Sequence, residues 1–153
     1  MASINTGKVV VGGLVAGVVA NVIDFVTNTY VLAPDWTAFA QSHNLDAAAF
    51  TSGPVAATWV VVDFLYGLLI VWTYAAIRPR LGAGPGTALI AGFVLFATAT
   101  IVIFGFTMMG LLTMSLFVKG TVGGIISTGA ASLAGGAVYK EAGAAAGSAY
   151  ARA

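Results

Sequence analysis

The chain has 153 residues, of which 59% are hydrophobic and 7% are charged, with a mean hydropathy of +1.00. Soluble domains carry about a quarter charged residues, so this composition excludes an ordinary soluble fold and predicts an integral membrane domain over residues 1–153. The net charge of +1 gives no nucleic-acid-binding footprint. The lack of cysteine excludes disulfides, thiol catalysis and thiolate metal sites.

Four continuous apolar segments predict an all-α fold, a four-helix transmembrane bundle. Each is close to the 20 or so residues that cross the hydrocarbon of a bilayer, and they cover about 9–32, 55–77, 87–107 and 114–138. Lys8 and the apolar residues after it also resemble a cleaved signal peptide. Because the apolar character continues to Leu32, we expect a retained first helix.

The segment 33–54 is the only long polar connection. Trp36, Phe39 and His43 fall on one face of a helix, which predicts a short outer interfacial helix between spans one and two. Trp36 and His43 are the candidate residues of this outer loop. A lone histidine does not make a metal site, so no metal, cofactor or catalytic residue is predicted.

The connection between spans two and three predicts a tight turn. We expect span two to end at Arg78-Pro79-Arg80. The hydroxyl of Thr87 is a candidate cap for the next helix.

Basic residues predict the orientation of the spans. Five lie before span one, between spans two and three, or after span four: Lys8, Arg78, Arg80, Lys140 and Arg152. The segment 33–54 has none. Since basic residues mark the cytoplasmic side, both termini should be cytoplasmic and 33–54 should be outside.

Polar side chains inside the first two spans predict a buried cluster. Asn21, Asp24 and Asn28 share one helical face. Asp24 lies eight residues before Leu32 and Asp63 eight residues after Val55, so the two acids should lie at one depth.

Two more residues complete this candidate cluster. Tyr66 lies one turn after Asp63, and Lys119 reaches a similar level if span four begins near Thr113. An ion or proton path, or a polar ligand pocket, is one interpretation of the cluster. A hydrogen-bonded network that holds the helices in register is the other.

Glycine spacing predicts where helices approach closely. Gly13 and Gly17 form one pair four residues apart, and Gly120 and Gly124 form another. Small residues at this spacing let helix backbones touch, either within one subunit or between subunits.

Three stretches carry a family resemblance: GGLVAGVVANVIDF at 12–25, WTYAAIRPR at 72–80 and GAGPGTA at 82–88. Together they resemble a group of small, uncharacterised bacterial membrane proteins with four predicted helices. The resemblance implies a bacterial inner-membrane location and supports four spans. It supplies no substrate, cofactor or catalytic residue, and Lys119 lies outside its pattern.

Three functions fit these features. The first is a non-enzymatic structural or accessory subunit that assembles with itself or with a larger energy-converting complex in the lipid bilayer. The second is a small ion- or proton-coupled transporter or channel using Asp24 and Asp63. The third is a pigment- or lipid-binding membrane protein.

Overall fold

The computed structural model describes residues 4–140, apart from the side chains of residues 50 and 51, and this range is helical without strands. It contains five α-helices: α1 (Thr6–Val26), α2 (Ala33–Ser42), α3 (Gly53–Leu81), α4 (Pro85–Met108) and α5 (Met114–Val138). A π-helical turn, Thr27–Val31, prolongs α1, and a 3-10 turn, Ala47–Thr51, precedes α3. Arg152 and the rest of the C-terminal tail lie outside the described residues.

Four of these helices are long and apolar enough to cross a membrane. They are α1 with its π-helical turn (26 residues), α3 (29 residues), α4 (24 residues) and α5 (25 residues). Each exceeds the roughly 20 residues that span the hydrocarbon. The prediction of an all-α protein with four membrane-spanning helices is confirmed at this level.

The turn between α3 and α4 differs in detail from the prediction. Helix α3 ends at Leu81, one residue after the predicted Arg78-Pro79-Arg80 end, and Pro79 lies inside the helix. Only the Ala75 carbonyl loses a hydrogen-bond donor, because proline lacks an N–H. Thr87 does not cap α4. The helix begins after Gly84, and the Thr87 hydroxyl instead donates to the Leu81 carbonyl at 3.4 Å.

Glycines set the closest helix contacts, and two of them are on α1. A methyl group added at Gly13 would lie 2.8 Å from Leu68 Cα, and one at Gly17 would lie 2.8 Å from Phe64 Cα. Such distances leave no room for a side chain, so the backbones of α1 and α3 touch here. The packing expected at Gly13 and Gly17 is present.

The glycines predicted on α5 behave differently. An added methyl at Gly120 would meet no atom of the described residues within 4 Å, so this glycine packs against no helix of its own chain. Gly124 faces only the edge of the Phe96 ring, at 3.2 Å. The close contact with α1 is made by Gly135, whose added methyl would lie 2.8 Å from the Gly12 carbonyl oxygen.

The buried core occupies one half of the molecule. We call this the packed half and define it as residues 6–20, 67–81, 85–92 and 127–138. Its buried apolar side chains include Ile70 and Val71 of α3, Ala91 of α4 and Ala131 of α5. The open half comprises 21–31, 53–66, 93–108 and 114–126, and α2 lies at its end. There α1 still packs on α5, but α3 and α4 are widely exposed.

Candidate functional site

The polar residues of α1 and α3 form a chain along the interior, not a pair at one depth. Gly17 packs on Phe64, and the Asn21 amide donates to the Val60 carbonyl at 3.3 Å. This antiparallel register places Asp63 opposite position 18, six residues from Asp24. At 1.5 Å per residue the two acids are offset by about 9 Å along the helix axis. The prediction of equal depth is wrong, because it assumed that the two spans end level.

Asp24 nevertheless faces the interior. Both Asp24 and Asp63 are half-buried, and the two carboxyls are close enough to interact electrostatically. The Ser127 hydroxyl of α5 is the polar neighbour of the Asp24 carboxyl. Ser127 is only 3% exposed, so this contact lies at the interface between α1 and α5.

Tyr66 joins the same interior face. Its hydroxyl neighbours the Thr128 side chain of α5, and it also lies within the electrostatic reach of Asp24. Thr128 is buried. The structure therefore brings Asp24, Asp63 and Tyr66 together with two α5 hydroxyls.

Lys119 does not join these acids. Its Nζ donates to Asp35 Oδ2 at 2.7 Å, in an ion pair at the start of α5. The register explains the error: Thr27 packs on Gly123, so Lys119 falls one turn farther toward the α2 end than Gly123. The predicted cluster of Asp24, Asp63 and Lys119 is therefore wrong.

Asp35 is the charged residue that the sequence analysis missed. It is 9% exposed and also accepts a hydrogen bond of 2.6 Å from the Ser115 hydroxyl. The hydrogen bond from Lys119, followed by that from Ser115, lowers the pKa of Asp35 below its ordinary value of 3.8, against an opposing effect of desolvation. Its position in the first turn of α2, just after Pro34, was the available signal.

The two asparagines of the predicted cluster have local roles. Asn21 donates to the Gly17 carbonyl at 2.9 Å as well as to Val60, and so bridges α1 and α3. Asn28 is exposed and accepts a hydrogen bond of 3.0 Å from the Trp36 indole. Asn28 therefore belongs to the α1–α2 connection and not to the interior face.

His43, the other outer-loop candidate, is exposed and folded onto its own helix. Its Nδ1 lies 2.9 Å from the Phe39 carbonyl oxygen and 3.0 Å from Ser42 Oγ, and its ring is 4.3 Å from the Phe39 ring. Within residues 4–140, no group of three or more His, Asp or Glu side chains is placed to hold a metal.

A second polar cluster closes the opposite end of the molecule. The rings of Tyr74 and Tyr139 meet edge to face at 5.9 Å, and Arg78 Cζ lies 6.0 Å and 5.6 Å from their centroids. The backbone N–H of Asn5 donates to the Tyr139 hydroxyl, and that of Gly84 donates to the Tyr74 hydroxyl. This cluster joins the ends of four helices and supports the packed half.

Comparisons with protein-family models, with curated proteins and with solved structures find no match to this chain. The geometry of the polar residues therefore indicates what this site can do. Two separated carboxyls, of which Asp24 has the Ser127 hydroxyl as a neighbour, can accept hydrogen bonds from a partner, or bind a proton or cation if water reaches them.

Proposed function

We propose that the protein is a non-enzymatic, multi-pass subunit of a membrane assembly, formed with copies of itself or within a larger energy-converting complex. In this proposal its open half receives a transmembrane segment of another subunit. One observation carries the proposal: in the open half, residues 59–62 of α3 and 101–104 of α4 are exposed around the whole circumference of each helix.

The exposure on α3 is seen in four consecutive residues, Trp59 to Val62, which are 40–60% exposed. Successive residues of a helix point about 100° apart, so these four side chains cover the whole circumference. On α4, the residues from Ile101 to Phe104 are 43–71% exposed. A transmembrane helix inside a compact bundle would show one exposed face and one buried face.

The polar chain favours a protein partner over lipid alone. Asp24 is half-buried within the open half, and Asp63 lies at its boundary with the packed half. An aspartate inside the membrane costs about 2.5–3.5 kcal/mol unless it finds a partner or water. A partner segment that donates hydrogen bonds to these acids and packs on the apolar walls satisfies both requirements.

The proposal also includes the location and orientation of the protein in the membrane. We place the protein in the bacterial inner membrane as a four-helix bundle, with α2 in the outer interface and both termini in the cytoplasm. The support is the distribution of charge: Lys8, Arg78, Arg80 and Lys140 lie at one end of the described helices, and α2 with its connections lies at the other.

Photo-crosslinking in native membranes tests the assembly. A photoreactive residue at position 103 lies in the open half, and one at position 133 lies on the packed half; the native Ile103 and Leu133 are 43% and 42% exposed. We expect position 103 to yield a protein adduct, which mass spectrometry of the purified complex identifies as this chain or another subunit. Position 133 should yield mainly lipid adducts. Equal, lipid-only labelling at both positions would contradict the proposal.

The interior acids favour proton- or ion-coupled transport as a second candidate. Lys119 is engaged by Asp35, so it does not neutralise Asp24 or Asp63. In proteoliposomes, transport through these acids requires that Asp24→Asn and Asp63→Asn each abolish a proton or cation flux that the folded parent protein shows. The subunit proposal expects no such flux from the parent chain alone.

A further inference from the structure

The bonds between α2 and α5 carry an inference about how the open half is held. Helix α2 has ten residues and follows α1 through the π-helical turn. Its polar link to α5 is made through Asp35, which accepts hydrogen bonds from both Ser115 and Lys119. A further side-chain bond of α2, from the Trp36 indole to Asn28, returns to the end of α1.

The two hydrogen bonds to Asp35 are short and involve a mostly buried carboxylate. Each carboxylate oxygen accepts one bond, of 2.6 Å from Ser115 and 2.7 Å from Lys119. Asp35 is 9% exposed and the Lys119 side chain is 46% exposed, so the acid is sheltered while the lysine remains accessible. Hydrogen bonds between charged groups are about twice as strong as those between neutral groups.

The segment between α2 and α3 links the position of α2 to the start of α3. Helix α2 leads through Asn44, which has a positive φ of 54°, and the 3-10 turn 47–51 to the start of α3 at Gly53. Beyond Phe64, the α3 side chains toward that start are mostly exposed. The position of this segment therefore depends on two contacts with α1, which are the glycine contact and the 3.3 Å hydrogen bond from Asn21 to the Val60 carbonyl, and on α2 at its other end.

We propose that Asp35, Ser115 and Lys119 form a clasp that holds α2 on the start of α5 and thereby fixes the distance of the open half of α3 from α5. Opening of the clasp releases α2 and lets this part of α3 swing outward. The packed half stays in place, because its contacts lie beyond Gly67. The clasp governs the same open half as the proposed assembly, but it does not depend on that function.

Spin-label distances in the full-length protein, measured in lipid nanodiscs, test the clasp. The chain contains no cysteine, so pairs of introduced cysteines are labelled cleanly. Val61→Cys and Val122→Cys mark α3 and α5 in the open half, where both native side chains are 56% exposed. Leu69→Cys and Leu133→Cys form the matched pair in the packed half.

Variants of the clasp should change the 61–122 distances and leave the 69–133 distances unchanged. Asp35→Asn and Lys119→Met each remove one partner of the clasp, and we expect the 61–122 distances to lengthen by several ångströms and to broaden. Exchange of the charges, Asp35→Lys with Lys119→Asp, should restore the narrow distribution, because it restores the ion pair. The 69–133 distances should be the same in every variant.

Two results would overturn the clasp. Unchanged 61–122 distances in both single variants would show that α2 is held by other contacts. Equal broadening of the 69–133 pair would show a general loss of packing and not a local release. Both results are independent of whether the protein assembles with a partner.

Discussion

The packed and open halves of this molecule are made from the same four helices, yet they are held together differently. In the packed half the helices meet through residues with little or no side chain, such as Gly12 against Gly135. In the open half, α3 and α4 present branched and aromatic side chains in all directions, as at Val60 to Val62. Helices in a membrane associate where their backbones can approach, so the glycines determine which half closes.

The two halves also differ in their polar contacts. Inside the packed half the polar contacts join neutral groups, such as the Ser132 hydroxyl bonded to the Thr128 carbonyl at 2.6 Å, and the cation Arg78 lies at the helix ends beside Tyr74 and Tyr139. The open half contains the acids Asp24 and Asp63, and the Asp35–Lys119 pair lies at its α2 end. Neutral hydroxyls are bonded within their own helix and cost little inside a membrane, whereas each charge needs a partner or water. Steric fit thus closes one half, and polar pairing holds the ends of the other.

The largest effect should come from a bulky residue at a glycine of the packed half that touches the backbone of a neighbouring helix. Gly17→Leu forces α1 away from Phe64 Cα, which lies 2.8 Å from the added Cβ. We expect a loss of about 3 kcal/mol in the free energy of unfolding, at the upper end of overpacking costs. Reversible unfolding by denaturing detergent in mixed micelles measures it.

Gly120→Leu is the matched control, because the same substitution enters open space on α5. It should change the free energy of unfolding by less than about 0.5 kcal/mol. If the two variants unfolded alike, the distinction between glycines that pack and glycines that do not would fail.

A smaller effect should follow from truncating an isoleucine of the core. Ile70 is fully buried in the packed half, whereas Ile101 of the open half is 71% exposed. Lipid chains are as apolar as isoleucine, so Ile70→Ala loses mainly packing contacts. We expect about 1–2 kcal/mol of destabilisation, below the range for soluble cores.

Ile101→Ala should leave the isolated protein within about 0.5 kcal/mol of the parent. The same unfolding assay compares the two variants. A loss at Ile101 as large as that at Ile70 would mean that the open half is packed in solution, and the comparison between the halves would be wrong.

The sequence predicts the four long helices well, because each needs only a continuous apolar run. It predicts their relative register poorly. Equal depth of Asp24 and Asp63 was inferred from the distances to the ends of the spans, but Gly17 packing on Phe64 sets a different register. A contact between two helices depends on both surfaces, and no single apolar segment encodes it.

The site residues show the same limit. Asp24, Asp63 and Tyr66 could be placed on interior faces, because lipid offers an acid no partner. Their neighbours Ser127 and Thr128 could not, since a hydroxyl can bond within its own helix and so tolerates either face. Lys119 was assigned to the wrong acid because Asp35 lies outside the apolar segments, in a connection whose fold the hydropathy pattern does not define.

The smallest expected effect concerns acid and the clasp of the open half. The charged group facing Asp35 is Lys119 of α5, and its hydrogen bond is the main reason that the pKa of Asp35 is lowered. A carboxyl with a lowered pKa in the folded protein stabilises the fold above its ordinary value of 3.8. This contribution is lost only as the pH falls through the lowered value. The 61–122 spin-label distances should therefore stay narrow from pH 7 to pH 4 and broaden below that, while the 69–133 distances do not change over the same range.

Ser115→Ala removes the second hydrogen bond that lowers the pKa of Asp35 and leaves the ion pair in place, so the broadening should move to a higher pH. Asp46→Asn controls for the acid that caps the 3-10 turn through its bond to the Ala48 N–H, and it should not shift the transition. Broadening that already begins near pH 6 in the parent protein would show that another titrating group holds α2 in place of the Asp35–Lys119 pair.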